Sequence, residues 1–415
     1  MKVKEILTID LTEDIKNVID LEDISEKEIQ AEIESYIVTD GLAREYVGFV
    51  DTFTSDILET GVWISGFYGS GKSYFGKLLG YMLSNPNIGG TPARDRIIQR
   101  FTGINDEALV KNALSRLNTI TSRVVFLDIA KQDTSKGIAY TLFRNFLRSL
   151  NLPENEHGIF LFQLMLSERK TIVQDFIFDV SGLDWNEIRT SSFKYAKAIK
   201  ELYINLGNTE SDYDNLMTTI RRDMDQFSAS RLREELSNYL QVEKNEKVIF
   251  LFDEASEAIN QKKISLLDLE GLSESLSSLG GKVWTIAIAQ EKLDDVINNS
   301  NVSKAQLTKV TDRFKTKIHL EATEVDVIIR NRLLKKNESG IQKLTDHFRK
   351  NAGKISDHAA IHGAGISKTD SADNYATYYP FYKYQFDLLQ NFLFGTKGYA
   401  STKVAARGMI ITTYD

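Results

Sequence analysis

The stretch Gly66-Phe67-Tyr68-Gly69-Ser70-Gly71-Lys72-Ser73 constrains this chain more than any other. It has the spacing G-x-x-x-x-G-K-S, with an apolar run, Val62-Trp63-Ile64, before it and a helix-like run, Tyr74 to Ser84, after it. Glycines let a backbone curl until successive N–H groups point inward with no Cβ in the way, and the following helix adds the positive end of its dipole. Such a loop cradles phosphate. The reading predicts that Gly66 to Tyr74 hold a nucleoside triphosphate, that Lys72 reaches the terminal phosphates, and that Ser73 offers a hydroxyl to Mg²⁺.

A second stretch answers the first. Lys247-Val248-Ile249-Phe250-Leu251-Phe252 is a continuous apolar run of the kind found in strands buried on both faces of a parallel sheet, and it ends in Asp253-Glu254. Downstream of a phosphate loop, Asp253 is expected to hold Mg²⁺, directly or through water, and Glu254 to polarise an attacking water. Val283 to Ala289 is another buried strand, with Gln290 at its end. Ligands of parallel sheets gather at the carboxyl ends of the strands, so Gln290 can touch the γ-phosphate or the water, and it can equally cap a helix. One more strand, Arg123 to Asp128, falls between the loop strand and the Asp253 strand. That order predicts the P-loop class in which the two motif strands are not neighbours in the sheet. A guanine-reading Asn/Thr-Lys-x-Asp run is missing, which makes adenine the expected base.

Composition bounds the setting. At 415 residues the chain is expected to divide into two or three domains, and 42% apolar with 26% charged residues is the make-up of a soluble globular protein. It has no cysteine, which excludes disulfides and thiolate metal sites and suits a cytoplasmic protein. The five histidines are scattered without metal-ligand spacing, so Mg²⁺ is the one metal expected. Apolar stretches are far too short to span a membrane. A formal charge of −7 argues against indiscriminate gripping of nucleic acid, while leaving room for a local basic groove.

Along the chain, residues 1–24 alternate weakly and predict one or two short strands. Ser25-Glu26-Lys27-Glu28 fits a capping box ahead of a helix carrying Ile29, Ile33 and Ile37, and a second helix is predicted from Leu42 to Leu58. Residues 1–60 thus read as an N-terminal linker region, which either covers the nucleotide base or simply packs as a helix pair. The α/β core is expected over 61–325, interrupted by amphipathic helices over about 131–246. Phe143, Phe146, Phe160 and Phe162 of that insertion read as core residues rather than stacking platforms. Residues 326–415 form an expected helical lid, cut short at its end. Within it Arg330, Arg332, Lys335 and Lys336 read as a solvated basic face, residues 351–379 as a loop, and Phe381 to Phe394 as a helix.

The order after Asp253-Glu254 is a strand ending in a polar residue, a helix through Leu293 to Ile297, a polar stretch, Arg313-Phe314, a short strand and a helical region with a late arginine. It resembles the order of parts in AAA+ ATPases. By that resemblance Gln290 corresponds to the sensor 1 residue, Arg313 to an arginine finger offered to a neighbouring subunit, and Arg407 to a sensor 2 arginine. Gln is unusual at the first of these positions, and Arg313 equally fits a surface residue paired with an acid.

Several segments are similar to one family more closely: Gly61 to Ser73, Ser35-Tyr36-Ile37-Val38-Thr39, Thr311 to Lys317, and Tyr379-Pro380-Phe381. Together they resemble the P-loop ATPase family of bacterial BREX phage-defence systems known as BrxC or PglY, whose members are much longer. The resemblance implies a cytoplasmic ATPase that oligomerises and works with a methyltransferase, a phosphatase-like protein and other BREX components on DNA. Two other classes fit the same motifs, a slow nucleotide switch serving as an assembly scaffold and a chaperone-type unfoldase.

Overall fold

The computed structural model describes residues 2–9, 19–55, 57–66, 70–167, 170–182, 192–299, 304–320, 325–359, 369–395 and 413. Its strands are β1 (Gly61–Ser65), β2 (Asn87–Ile88), β3 (Thr91–Pro92), β4 (Thr121–Asp128), β5 (Glu246–Asp253), β6 (Val283–Ala289) and β7 (Thr316–His319). The short pair β2–β3 is an antiparallel hairpin turning at Gly89 and Gly90. The other five make one parallel sheet in the order β4-β5-β6-β1-β7. Thus β6 separates β1 from β5, and the loop strand and the Asp253 strand are not neighbours, as the strand count predicts.

The apolar runs are buried on both faces because helices cover both. Alternate residues divide between two cores: Val62, Ile64, Ile249, Leu251, Ile286 and Ile288 face one, and Trp63, Val248, Phe250, Phe252, Ala287 and Ala289 the other. On the first face lie α1 (Glu26–Ser35), α2 (Asp40–Phe53) and α3 (Lys72–Ser84). Thr39 begins α2 by accepting the Leu42 N–H, and Asn85, with φ of +49°, ends α3. The N-terminal helix pair therefore packs against the sheet. The opposite face receives the insertion, which among the described residues comprises helices Ile138–Ser149, Glu156–Ser167, Lys170–Ser181, Ser192–Asn205, Glu210–Asp225 and Ala229–Val242. Phe143, Phe146, Phe160 and Phe162 are all buried there, so core is the reading the structure bears out.

Four sequence expectations differ from what is observed. Among the described residues of 1–24 there is a single turn of 3-10 helix, Val3–Glu5, and one isolated antiparallel bridge from Leu7 to Lys336, in place of strands. Ile6 is buried against Leu344, Phe348, Ile355 and Tyr375, so the chain's start joins its C-terminal helices. Residues 351–379 are largely helical where described, in Glu338–His358 and Ala372–Tyr378. The apolar positions of the first, Leu344, Phe348 and Ile355, mostly precede the polar stretch that hid it. The polar run before Arg313 is likewise a helix, Lys304–Arg313. Finally, the basic cluster is not uniformly solvated: Lys336 is 7% exposed and donates to Thr377 O at 2.9 Å, and Arg330 pairs with Asp326 and lies over the Tyr378 ring.

Candidate functional site

The carboxyl end of β1 leads into Gly66. A Cβ built at Gly66 would lie 2.4 Å from Ser70 Oγ and 3.0 Å from Leu320 O, so a larger residue must displace the Ser70 hydroxyl and press on the Leu320 carbonyl. The floor under this position is braced by β7: the Leu320 N–H donates to Ser65 O at 2.8 Å, and Ser65 Oγ lies 3.0 Å from His319 Nδ1. Gly71 takes φ of +82° and starts α3 without a side-chain cap, which leaves the first N–H groups of the helix for an anion. Ser70 Oγ is buried without a hydrogen-bond partner among the described residues. A buried hydroxyl of this kind normally has a partner, and a phosphate oxygen is one it could take. Phe67, Tyr68 and Gly69 lie outside the described residues, as does Arg407.

Across β6, β5 delivers Asp253 and Glu254 to the same end of the sheet. Lys72 and Asp253 are 5% and 6% exposed. Burial holds the Lys72 ammonium below the usual lysine range, against the opposing pull of the Asp253 and Glu254 carboxylates. Burial pushes the Asp253 carboxyl up to about 6, although a hydrogen bond from Ser73 pulls it the other way. The two residues expected to hold Mg²⁺ thus meet directly, Ser73 hydroxyl on Asp253 carboxylate. A serine hydroxyl and a carboxylate are hard oxygen donors of the kind this ion takes, and the uncapped start of α3 suits an anion, so the residues present fit a Mg²⁺–triphosphate group.

Glu254 has an unusual backbone for a glutamate, φ of +57° and ψ of +35°. Its N–H donates to Asp253 Oδ1 at 2.8 Å, and its Oε2 accepts from Gln290 Nε2 at 3.1 Å. Gln290 sits at the end of β6, between the two motif strands, with its N–H on Ser256 Oγ at 3.1 Å. Lys72, Ser73, Asp253, Glu254 and Gln290 are therefore brought together. No protein-family model and no solved structure matches the chain.

Two expected site residues do other work in this chain. The Tyr74 hydroxyl is turned to α1, donating to Glu32 O and lying 2.6 Å from Ser35 Oγ. Arg313 is outside the site: its carbonyl lies against Gly61, where β1 begins, about 13 Å of strand from the loop end. Its guanidinium pairs with Glu274 at 2.7 Å and reaches Glu59 at 3.9 Å, the surface-pair alternative that the sequence left open. Ser256 and His319, which brace the site, were not legible as such, since a lone serine or histidine beside a strand end carries no signal.

Proposed function

We propose that the protein is a Mg²⁺-dependent ATPase module of the P-loop class, with the AAA+-like order of parts. In this reading it works as an oligomer in a BREX anti-phage defence complex, where hydrolysis drives the remodelling or loading of partners on DNA. The observation that carries the hydrolytic reading is the meeting of Lys72 and Ser73 with Asp253 and Glu254 at one end of the sheet, from strands that are not neighbours. The defence setting rests on the resemblance of the quoted segments alone.

The uncapped start of α3 would receive the phosphates, with Lys72 offsetting their charge from a buried position where an ammonium acts strongly. Ser73 and Asp253 would hold Mg²⁺, which when bound supplies further charge stabilisation at the phosphates. Glu254 would orient a water and accept its proton. Arg313, held at the far end of β1, has no route to the nucleotide of its own chain, so any part it has in hydrolysis is exercised on a neighbouring subunit.

The test is Glu254→Gln, which keeps shape and removes the base. Binding of a fluorescent ATP analogue is expected within about twofold of wild type, with turnover down by about 10²-fold or more. Unchanged turnover refutes the role.

A further inference from the structure

We propose that Gln290 is a positioning residue that acts through Glu254 and makes no contact of its own with the nucleotide. The inference rests on the hydrolytic reading above and adds what aims the base. A carboxylate only accepts hydrogen bonds, so the amide of Gln290 must turn its NH₂ toward Glu254, and Nε2 does lie 3.1 Å from Oε2. That bond occupies one oxygen of the carboxylate and leaves Oε1 for the water.

The backbone that carries the Gln290 side chain is fixed from both sides. Its own N–H is held by Ser256 Oγ, and Ser256 is 2% exposed. The carbonyl of the next residue, Glu291, takes the indole N–H of Trp63 at 3.0 Å, and Trp63 belongs to β1. Gln290 is thus tied at once to the strand that carries the phosphate loop and to the helix that follows Glu254. Glu254 needs such an anchor. Its left-handed backbone, with φ of +57°, is held by its N–H bond to Asp253 Oδ1 at 2.8 Å and by the Ala258 N–H on its carbonyl at 2.9 Å, and neither bond fixes where the carboxylate lies. The series Asp253–Glu254–Gln290 then fixes the metal-side carboxylate, the base and the base's anchor relative to one another, and a displacement of about 1 Å at the base is enough to lose much of its effect.

A double-mutant cycle tests this, with single-turnover ATP hydrolysis and analogue binding measured for wild type, Gln290→Ala, Glu254→Gln and the double variant. Gln290→Asn serves as a second probe, because it keeps the amide but is one methylene too short to reach Oε2. Both Gln290 variants are expected to hydrolyse about tenfold or more slowly, to bind the analogue within twofold of wild type and to melt at the wild-type temperature. In the Glu254→Gln background, Gln290→Ala is expected to change the residual rate by less than twofold. An equal factor in both backgrounds, or a tenfold loss of analogue binding at unchanged hydrolysis rate, overturns the assignment and makes Gln290 a direct phosphate contact. Wild-type hydrolysis by Glu254→Gln alone overturns the role of Glu254, and with it this one.

Discussion

Lys77 and Glu32 form an ion pair sealed between α1 and α3, with side chains 0% and 4% exposed and Nζ 2.8 Å from Oε1. Nζ also donates to Asp20 O and, at 2.8 Å, to Asp23 O, while the Tyr81 hydroxyl donates to Glu32 Oε2 at 2.7 Å. Burial holds the Glu32 carboxyl above its usual range in spite of those two side-chain bonds. At this separation the attraction is about 6 kcal/mol with an effective dielectric of about 20, and it is set against several kcal/mol of lost hydration per ion. Glu32→Ala removes the attraction but leaves the ammonium buried on two carbonyls. The expected loss is about 3–5 kcal/mol, plus about 1 kcal/mol for the orphaned Tyr81 hydroxyl. Replacing both partners, Glu32→Leu with Lys77→Met, removes the buried charge as well and is expected to return most of the loss. Urea denaturation gives both numbers from the shift in midpoint at constant m. A loss below about 1 kcal/mol for Glu32→Ala means that water reaches Nζ, and a double variant as unstable as the single refutes the buried-charge argument.

Gly66→Ala introduces a methyl group 2.4 Å from Ser70 Oγ and 3.0 Å from Leu320 O. It is expected to weaken binding of an ATP analogue at least tenfold while costing about 1–3 kcal/mol in stability, read by titration and by urea melts. Burial brings the Lys336 ammonium down to about 7 from an ordinary 10.5. Between pH 7 and pH 10.5 the unfolded chain then carries more protons at this residue than the folded one, so stability rises with pH through that window and the burial penalty is complete below pH 7. Lys336→Met is expected to lack that rise when melting temperatures are compared from pH 6.5 to 9.5, and parallel pH curves for the two proteins would refute it.

Strands with their own apolar run were legible almost to the residue. Val283–Ala289 occurs as expected, and Asp253-Glu254 lies where a run from Lys247 places it. Because β6 and the two motif strands each carry that signal, their meeting at one end of the sheet could be anticipated from order alone. Residues whose partners come from distant backbone could not. Lys77 is satisfied by carbonyls of residues 20 and 23, and Glu22 accepts the Asp128 N–H at 3.0 Å and pairs with Arg148 at 3.2 Å. These contacts fasten residues 20–23 to α3 and to the end of β4, yet the segment shows only a weak alternation, which points to strands instead. Lys336 failed for the same reason: a cation's partner, not its charge, decides whether it is buried. Gln290 was placed at a strand end correctly, whereas Arg313, expected after a polar stretch, ends a helix, and their acids, Glu254 and Glu274, are chosen by tertiary packing.

The position of β6 also governs the order in which the chain can be assembled as it is synthesised. β1 pairs with β6 on one edge and β7 on the other, and both follow it in sequence. Once Ser65 has been made, roughly 220 residues must follow before its first partner strand exists, which at 5–20 residues per second leaves both edges of β1 open for roughly 10–45 s. During that interval Val62 and Ile64 lack both partner strands of β1, so α1 and α2, already made, and α3, made next, are the cover on their face, while Trp63 faces the side that the insertion covers. The nascent protein therefore holds its phosphate loop on a lone strand with a helical cap, and the two halves of the site first meet when Val283–Ala289 slides between them.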